Sequence, residues 1–490
     1  MTVVDFGVDV VAGCLIGGRW VEGAGSEVIE VFNPASGERI AEVASASVED
    51  AEAAVVAASV AAVGWGARPL GERVRFLYRM KAILEENVES LARVITLDQG
   101  KTLDEARGEV GRAVDFVESA IAAPMLYHGD AVNVTTGVDA RRVREPLGVC
   151  VAVTPSNFPV MNTVQFSAWA LVTGNALIIK ASEQDPLASS AAIRLLQRAG
   201  LPDGVLSLVH GRVDVVQHLI GHPSVAAVSC ITSSPTARAI YAAAASAGKR
   251  VQANGGAKNP IVVAPDADLD KAAAGIVSSS FGMAGQRCLA GSRVVVVGDV
   301  YDELMARVVA LADELVVGDG AVEGVSMGPV VSAGSRDRIL AALGEAEGLG
   351  ARFVRDGRGV QPVGGVETVN GYFIGPTIVA GLDPRHGVER AELFGPVINV
   401  HRVGTVAEAI ALSNDTEFGN AASVFTSSGA VAAEFERGVR AGNVGVNAFP
   451  APPANVTMGG YGASFYGDSH VCGAAPLDFF TDQKLVVTRW

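Results

Sequence analysis

The sequence predicts an α/β protein of two or three domains, and three observations carry that expectation. From Gly148 onward, short apolar runs (GVCVAVTP, ALIIKAS, GVLSLVHG, VAAVSCIT) alternate with helical or turn-like stretches, which is the pattern of parallel strands buried between helices. Before that point, the segment from Arg73 to about Ile121 has helical periodicity, interrupted near DQGK at Asp98 to Lys101. Finally, 490 residues are too many for one compact core.

Taken in order, LIGGRWVEG and IEVFNPASGERIAEV alternate apolar and polar residues around Gly-Gly and Asn-Pro turns, as short antiparallel strands do. Ser47 and Asp50 have capping-box spacing before an Ala/Val-rich helix. A second α/β unit is expected from near Lys249 to about Tyr461, with strands such as SRVVVVGDV and helices such as YDELMARVVALADEL. The closing segment APLDFFTDQKLVVTRW reads as a terminal strand whose apolar residues point to an oligomer contact. No internal repeat or low-complexity linker interrupts the chain.

Composition narrows the function. Hydrophobic residues make up 49% and charged residues 19%, and 38 basic against 53 acidic residues give a net charge of −15. No sequence-wide positive field exists to hold nucleic acid or an anionic membrane. The five cysteines, Cys14, Cys150, Cys230, Cys288 and Cys472, are odd in number and widely spaced, with no CxxC pair, so a reducing cytoplasm is expected and a metal is not. Asp5 and Asp9 stand where a signal peptide needs positive charge, and no apolar run reaches the roughly 18 residues of a membrane helix.

Several residues are placed for chemistry. Cys288, in FGMAGQRCLAG, lies in a Gly-flanked loop between a helical stretch and an apolar strand, where a sulfur can face a cleft. Taken alone, such a cysteine is more often a small buried hydrophobe. Arg287 beside it favours the thiolate if its charge points inward. Asn157 in TPSNFPVM follows the first buried strand at the carboxyl end of the sheet, where an amide can donate to an oxyanion or simply make a turn before Phe-Pro. After VAAVSCIT, Ser233 or Ser234 is an N-cap with Pro235 at the first helical position, a ready anion site, although no GxGxxG follows any strand. Lys180 and Glu183 can reach a ribose or be ordinary surface charges.

Together, NPASGE, SNFP, IIKASE, GQRC and ELFGPV resemble the signature segments of the aldehyde dehydrogenase superfamily over essentially the whole chain. DQGKTLDEARGEVGR, GKRVQANGGAKN, FGMAGQRC and the carboxyl-terminal FF-T-x-x-K resemble more closely the CoA-acylating methylmalonate or malonate semialdehyde dehydrogenases. The resemblance implies a Rossmann-like NAD-binding domain (1–122 and 145–252), an α/β catalytic domain (253–462) and a small β oligomerisation element (123–144 and 463–490), assembled as a homodimer or homotetramer. It makes Cys288 the nucleophile and Asn157 the oxyanion amide. It places Thr154, Ser156, Lys180, Glu183, Ser233, Glu392 and Phe394 around the cofactor, and Arg112 and Arg287 near the substrate carboxylate.

Three positions depart from the pattern. Thr232 stands where glycine is usual beside the pyrophosphate, and Pro260 where relatives often carry a basic residue. Asn254 replaces the glutamate of hydrolytic members, and an amide cannot accept a proton at neutral pH. The expected reaction is therefore attack of Cys288 on an aldehyde, hydride transfer to NAD, and release of the thioester to coenzyme A as acyl-CoA. Two other readings stay open: a hydrolytic enzyme with a base elsewhere, and a binding protein that kept the fold without catalysis.

Overall fold

Five strands, four of them rich in Val, Ile, Leu and Ala, make the parallel centre of the first sheet, in the order Arg250–Asn254, Val225–Ile231, Val149–Val153, Ala176–Lys180 and Leu206–Val209. The computed structural model describes residues 3–5, 9–364 and 368–490, and the side chains of Asp5 and Asp9 lie outside the described residues. Val149–Val153 and Ala176–Lys180 are buried at every position, because helices cover both faces of the sheet. The chain winds from Val149–Val153 first to one side and later to the other. The strand order therefore reverses there, leaving a crevice at the carboxyl ends of Val149–Val153 and Val225–Ile231. Antiparallel strands close both edges: Cys14–Ile16 with Arg19–Val21 beyond Leu206–Val209, and Phe465–Gly467 beyond Arg250–Asn254.

The helices ahead of this sheet form as their signals require. Ser47 and Asp50 make the capping box of Val48–Gly66. The long periodic stretch is three helices rather than two: Leu70–Glu86, Val88–Gln99 and Leu103–Ile121. The additional break falls at Asn87, whose side chain donates to the Ile83 carbonyl at 2.6 Å and ends the first of them. The expected break is made by Gly100, at φ 97°, where a Cβ would stand 2.8 Å from Pro329.

The second sheet runs Arg352–Arg355, Thr377–Ala380, Val397–Val403, Gly291–Val297, Asn259–Val263, Ala421–Phe425 and Asn443–Val446, parallel except at the first pair. It begins at Asn259 and not near Lys249, because Arg250–Asn254 pairs in register with Val225–Ile231 in the first sheet. The closing segment is not one strand. Pro476 starts the short helix Ala475–Phe479, and Thr481–Arg489 then pairs with Val138–Pro146, which pairs in turn with Ala131–Thr135. Residues 463–490 therefore divide between the first sheet and this three-stranded one. Leu485, Val487 and Trp490 stand exposed on the latter.

Candidate active site

The amino ends of the second sheet face the carboxyl ends of the first, and Cys288 lies between them. After helix Leu269–Phe281 the chain takes left-handed backbone at Met283 (φ 53°), Ala284 (φ 51°) and Gly285 (φ 71°), conformations that cost a non-glycine residue on the order of 1–3 kcal/mol each. Side chains hold the loop there. Gln286 accepts from the Val331 amide at 2.9 Å and donates to the Met283 carbonyl at 3.1 Å. Glu105 accepts from the Met283 amide at 2.6 Å. The Cys288 carbonyl takes two amide donors, Asn259 at 2.9 Å and Asn420 at 2.8 Å.

Cys288 is half-buried, whereas the other four cysteines are buried. Burial, and second the Glu392 carboxylate, push its thiol up to about 11, against the pull of the Cys288 and Leu289 backbone N–H groups. The resting sulfur is thus a neutral thiol. The inward charge expected of Arg287 is directed elsewhere: its guanidinium lies 3.6 Å from Glu105 and donates to the Ser278 carbonyl at 3.4 Å.

Across the cleft, Asn157 is buried and donates one side-chain N–H to the Gln286 carbonyl at 3.0 Å, two residues before Cys288. Its own carbonyl accepts from Lys101 Nζ at 2.6 Å. Lys101 also bonds Glu109 at 2.5 Å, and the second oxygen of Glu109 accepts from the Val160 and Met161 amides at 2.8 and 3.0 Å. These two amides open helix Pro159–Val172.

The same sheet end carries features that fit a dinucleotide. Among the described residues the buried Thr154 hydroxyl has no partner, an orphan that a ligand oxygen satisfies. Ser156 is half-buried in the same turn. Ser233 is the N-cap of helix Ser234–Ser246, yet its hydroxyl bonds Thr236 at 3.0 Å and leaves the helix end uncapped for an anion. The neighbouring Ser234 is spoken for, since it donates to the Ala463 carbonyl at 2.6 Å and accepts from the Gly256 amide at 2.8 Å. Thr232 is held by its amide on the Asn254 carbonyl at 2.9 Å. Lys180 pairs with Glu183 at 2.6 Å; burial opposes the Glu183 charge, but Lys180 outweighs it and keeps the carboxyl below its usual range.

Glu392 accepts from the Ala257 amide at 2.9 Å, and burial pushes its carboxyl up to about 7. Gly256 makes its seat, because a Cβ there would come within 2.0 Å of the carboxylate. Phe394, two residues on, has φ 52°, a strain that a bulky residue retains only where the surroundings fix it. Asn254 donates to the Cys230 carbonyl at 3.3 Å. Arg112 bonds Asp115 at 3.1 Å and the Pro452 carbonyl, and remains part-exposed. No role is expected from the sequence for Lys101, Glu105, Glu109, Asn259 or Asn420, although the first four lie inside DQGKTLDEARGEVGR and GKRVQANGGAKN; the Thr102–Glu105 capping-box spacing is a further signal for Glu105.

Comparison with known proteins shows the family. The model of the aldehyde dehydrogenase family matches residues 20–486. The chain is 41% identical over 477 residues to malonate-semialdehyde dehydrogenase 1 of Geobacillus thermodenitrificans, covering 97% of this chain and 98% of that one. It is 40% identical over 479 residues to malonate-semialdehyde dehydrogenase of Halalkalibacterium halodurans, covering 97% of each. Among solved structures, a putative methylmalonate-semialdehyde dehydrogenase from Sinorhizobium meliloti complexed with NAD superimposes with a TM-score of 0.95 at 36% identity, covering 98% of this chain and 97% of that one. Methylmalonate-semialdehyde dehydrogenase from Oceanimonas doudoroffii gives 0.95 at 37%, covering 98% of each.

Proposed function

This chain belongs to the aldehyde dehydrogenase family, and we propose that it oxidises malonate or methylmalonate semialdehyde with NAD and delivers the acyl group to coenzyme A. The observation that carries the acyl-CoA outcome is Asn254. It supplies no carboxylate, and its side-chain N–H is already donated to Cys230, so no general base stands at that point to activate water. A CoA thiol is intrinsically nucleophilic and partly ionised near neutrality. The relatives named for malonate and methylmalonate semialdehydes support the substrate class.

In this reading Thr154, Ser156, Lys180, Glu183, Ser233, Glu392 and Phe394 hold NAD, which when bound supplies the hydride acceptor. Cys288 gives its thiol proton to solvent water, and Sγ forms the bond to the aldehyde carbon as the C=O π bond breaks toward oxygen. The carbonyl oxygen, now negative, lies between the Cys288 N–H and the second N–H of Asn157, the first being fixed on Gln286. Each such donor stabilises the transition state by on the order of 3 kcal/mol. The thioester left on Cys288 waits for a thiolate. Arg112 offers its guanidinium to the substrate carboxylate, a role suited to bidentate pairing. The exposed Leu485, Val487 and Trp490 support assembly of a homodimer or homotetramer through the three-stranded sheet, and five unpaired cysteines support a cytoplasmic setting.

Rapid mixing without CoA tests the proposal. NADH is expected in a burst of about one equivalent per site followed by near arrest, because hydride transfer precedes release of the acyl group. Adding CoA is expected to restore turnover. Full steady turnover without any thiol would show instead that water releases the product.

A further inference from the structure

We propose that the buried ion pair Lys101–Glu109 is a positioning element for the oxyanion donor Asn157, so that helix Leu103–Ile121, which carries Glu109 and opens just after Lys101, sets the distance between Asn157 and Cys288. The proposal rests on the reading of Asn157 as that donor. Both side chains of the pair are fully buried, and two charges taken out of water cost several kcal/mol apiece unless every lone pair and proton is used. Here they are used on one target. Lys101 Nζ reaches Glu109 at 2.5 Å and the Asn157 carbonyl at 2.6 Å, and lies 4.6 Å from the centre of the Phe158 ring. Glu109 spans the next residues through the amides of Val160 and Met161. From 157 to 161 the backbone is thus gripped by the pair at three points, on either side of the residue that enters helix Pro159–Val172.

The same helix, Leu103–Ile121, acts on the opposite wall of the cleft. Glu105, one turn before Glu109 and therefore on the same face, accepts from the Met283 amide at 2.6 Å and sits 3.6 Å from Arg287, next to the nucleophile. One rigid helix therefore touches the backbone just after the oxyanion donor through Glu109, which also holds Lys101 against the Asn157 carbonyl, and the nucleophile loop through Glu105. A buried pair serving stability alone needs no bond to the site backbone, and a well-packed apolar pair in its place is often neutral for folding.

The test is a mutant cycle on the full-length enzyme, read as NADH formation with saturating NAD, aldehyde and CoA. Asn157→Ala is expected to lower kcat by about 100-fold or more, and the paired change Lys101→Met with Glu109→Leu by roughly 10- to 100-fold with little change in the aldehyde KM. Iodoacetamide should alkylate Cys288 in the paired variant at the wild-type rate, since the nucleophile loop keeps Glu105. Combining all three changes should lose little beyond Asn157→Ala alone, because the pair acts through that amide. Losses that multiply in the combined variant, or an unaltered kcat in the paired one, would overturn the proposal. Asn157→Ala at the wild-type rate would instead overturn the oxyanion reading beneath it. If melting shows the paired variant unfolded, Glu109→Gln keeps an acceptor for the two amides while weakening the hold of Lys101, and the same cycle with Asn157→Ala decides.

Discussion

On one wall of the cleft, Thr154, Ser156, Asn157 and Ser233 follow directly on buried parallel strands with ordinary backbone angles; on the other, Met283, Ala284 and Phe394 all have φ near 50°. The first wall uses positions that any doubly wound sheet supplies at its switch point, and the helix end at Ser233 carries no side-chain cap. The second wall presents Cys288 from the amino ends of strands, where the sheet offers no helix start. It therefore bends the backbone and fixes it with side chains, Asn259, Asn420, Gln286 and Glu105 among them. On the first wall function and stability are separable. On the second they are coupled.

The largest expected effect concerns the reactive atom itself. Cys288→Ser should lower NADH formation by at least roughly a thousandfold, since a serine hydroxyl has no thiolate character at neutral pH; steady-state assays that find wild-type turnover would move the chemistry off this loop. The comparison sharpens with a matched pair of alanine variants. Asn259→Ala removes two donors from the Cys288 and Ala290 carbonyls and the acceptor of the Ala421 amide. It should cost about 2–4 kcal/mol in denaturant melts, whereas exposed Ser233→Ala should stay within about 0.5 kcal/mol while raising the KM for NAD. Equal stability losses would erase the distinction between the walls.

The smallest effect tests the electrostatics of the strained wall. Glu392 helps to push the Cys288 thiol up, so Glu392→Gln should lower that pKa and enlarge the thiolate fraction at any pH below it. Alkylation of Cys288 by iodoacetamide at pH 8 should accelerate by roughly three- to tenfold. The gap between variant and wild type should close below about pH 7, where Glu392, itself pushed up to about 7, takes a proton. An unchanged rate at pH 8 would mean that the carboxylate is too far from the sulfur to matter.

This asymmetry also explains what could be read in advance. The buried strands announced themselves as unbroken apolar runs, and Pro235 after Ser233 marked a helix start, because those signals are local. Cys288 and Asn157 stood out through the motifs around them. Lys101 could not: a lysine is ordinarily at the surface, its partner Glu109 lies beyond a helix break, and its target carbonyl is 56 residues away. Asn259 and Asn420 hold one carbonyl from two different strand ends, a meeting that only the folded sheet creates. The misplaced start of the second unit has the same origin. Arg250–Asn254 looks like any strand, and which sheet it joins is decided by pairing with Val225–Ile231.

The first sheet is bordered by segments far apart in the chain, Arg19–Val21 beside Cys14–Ile16 on one edge and Phe465–Gly467 on the other. A ribosome finishes Arg250–Asn254 some two hundred residues before it releases the strand that covers it, a delay of roughly 10–40 s at 5–20 residues per second. During that interval the nascent sheet carries an open edge, while the second sheet, whose strands all lie between residues 259 and 446, can close on itself. The newborn chain is therefore most prone to pair with a wrong strand on its cofactor side. Long-range closure of this kind also makes refolding slow.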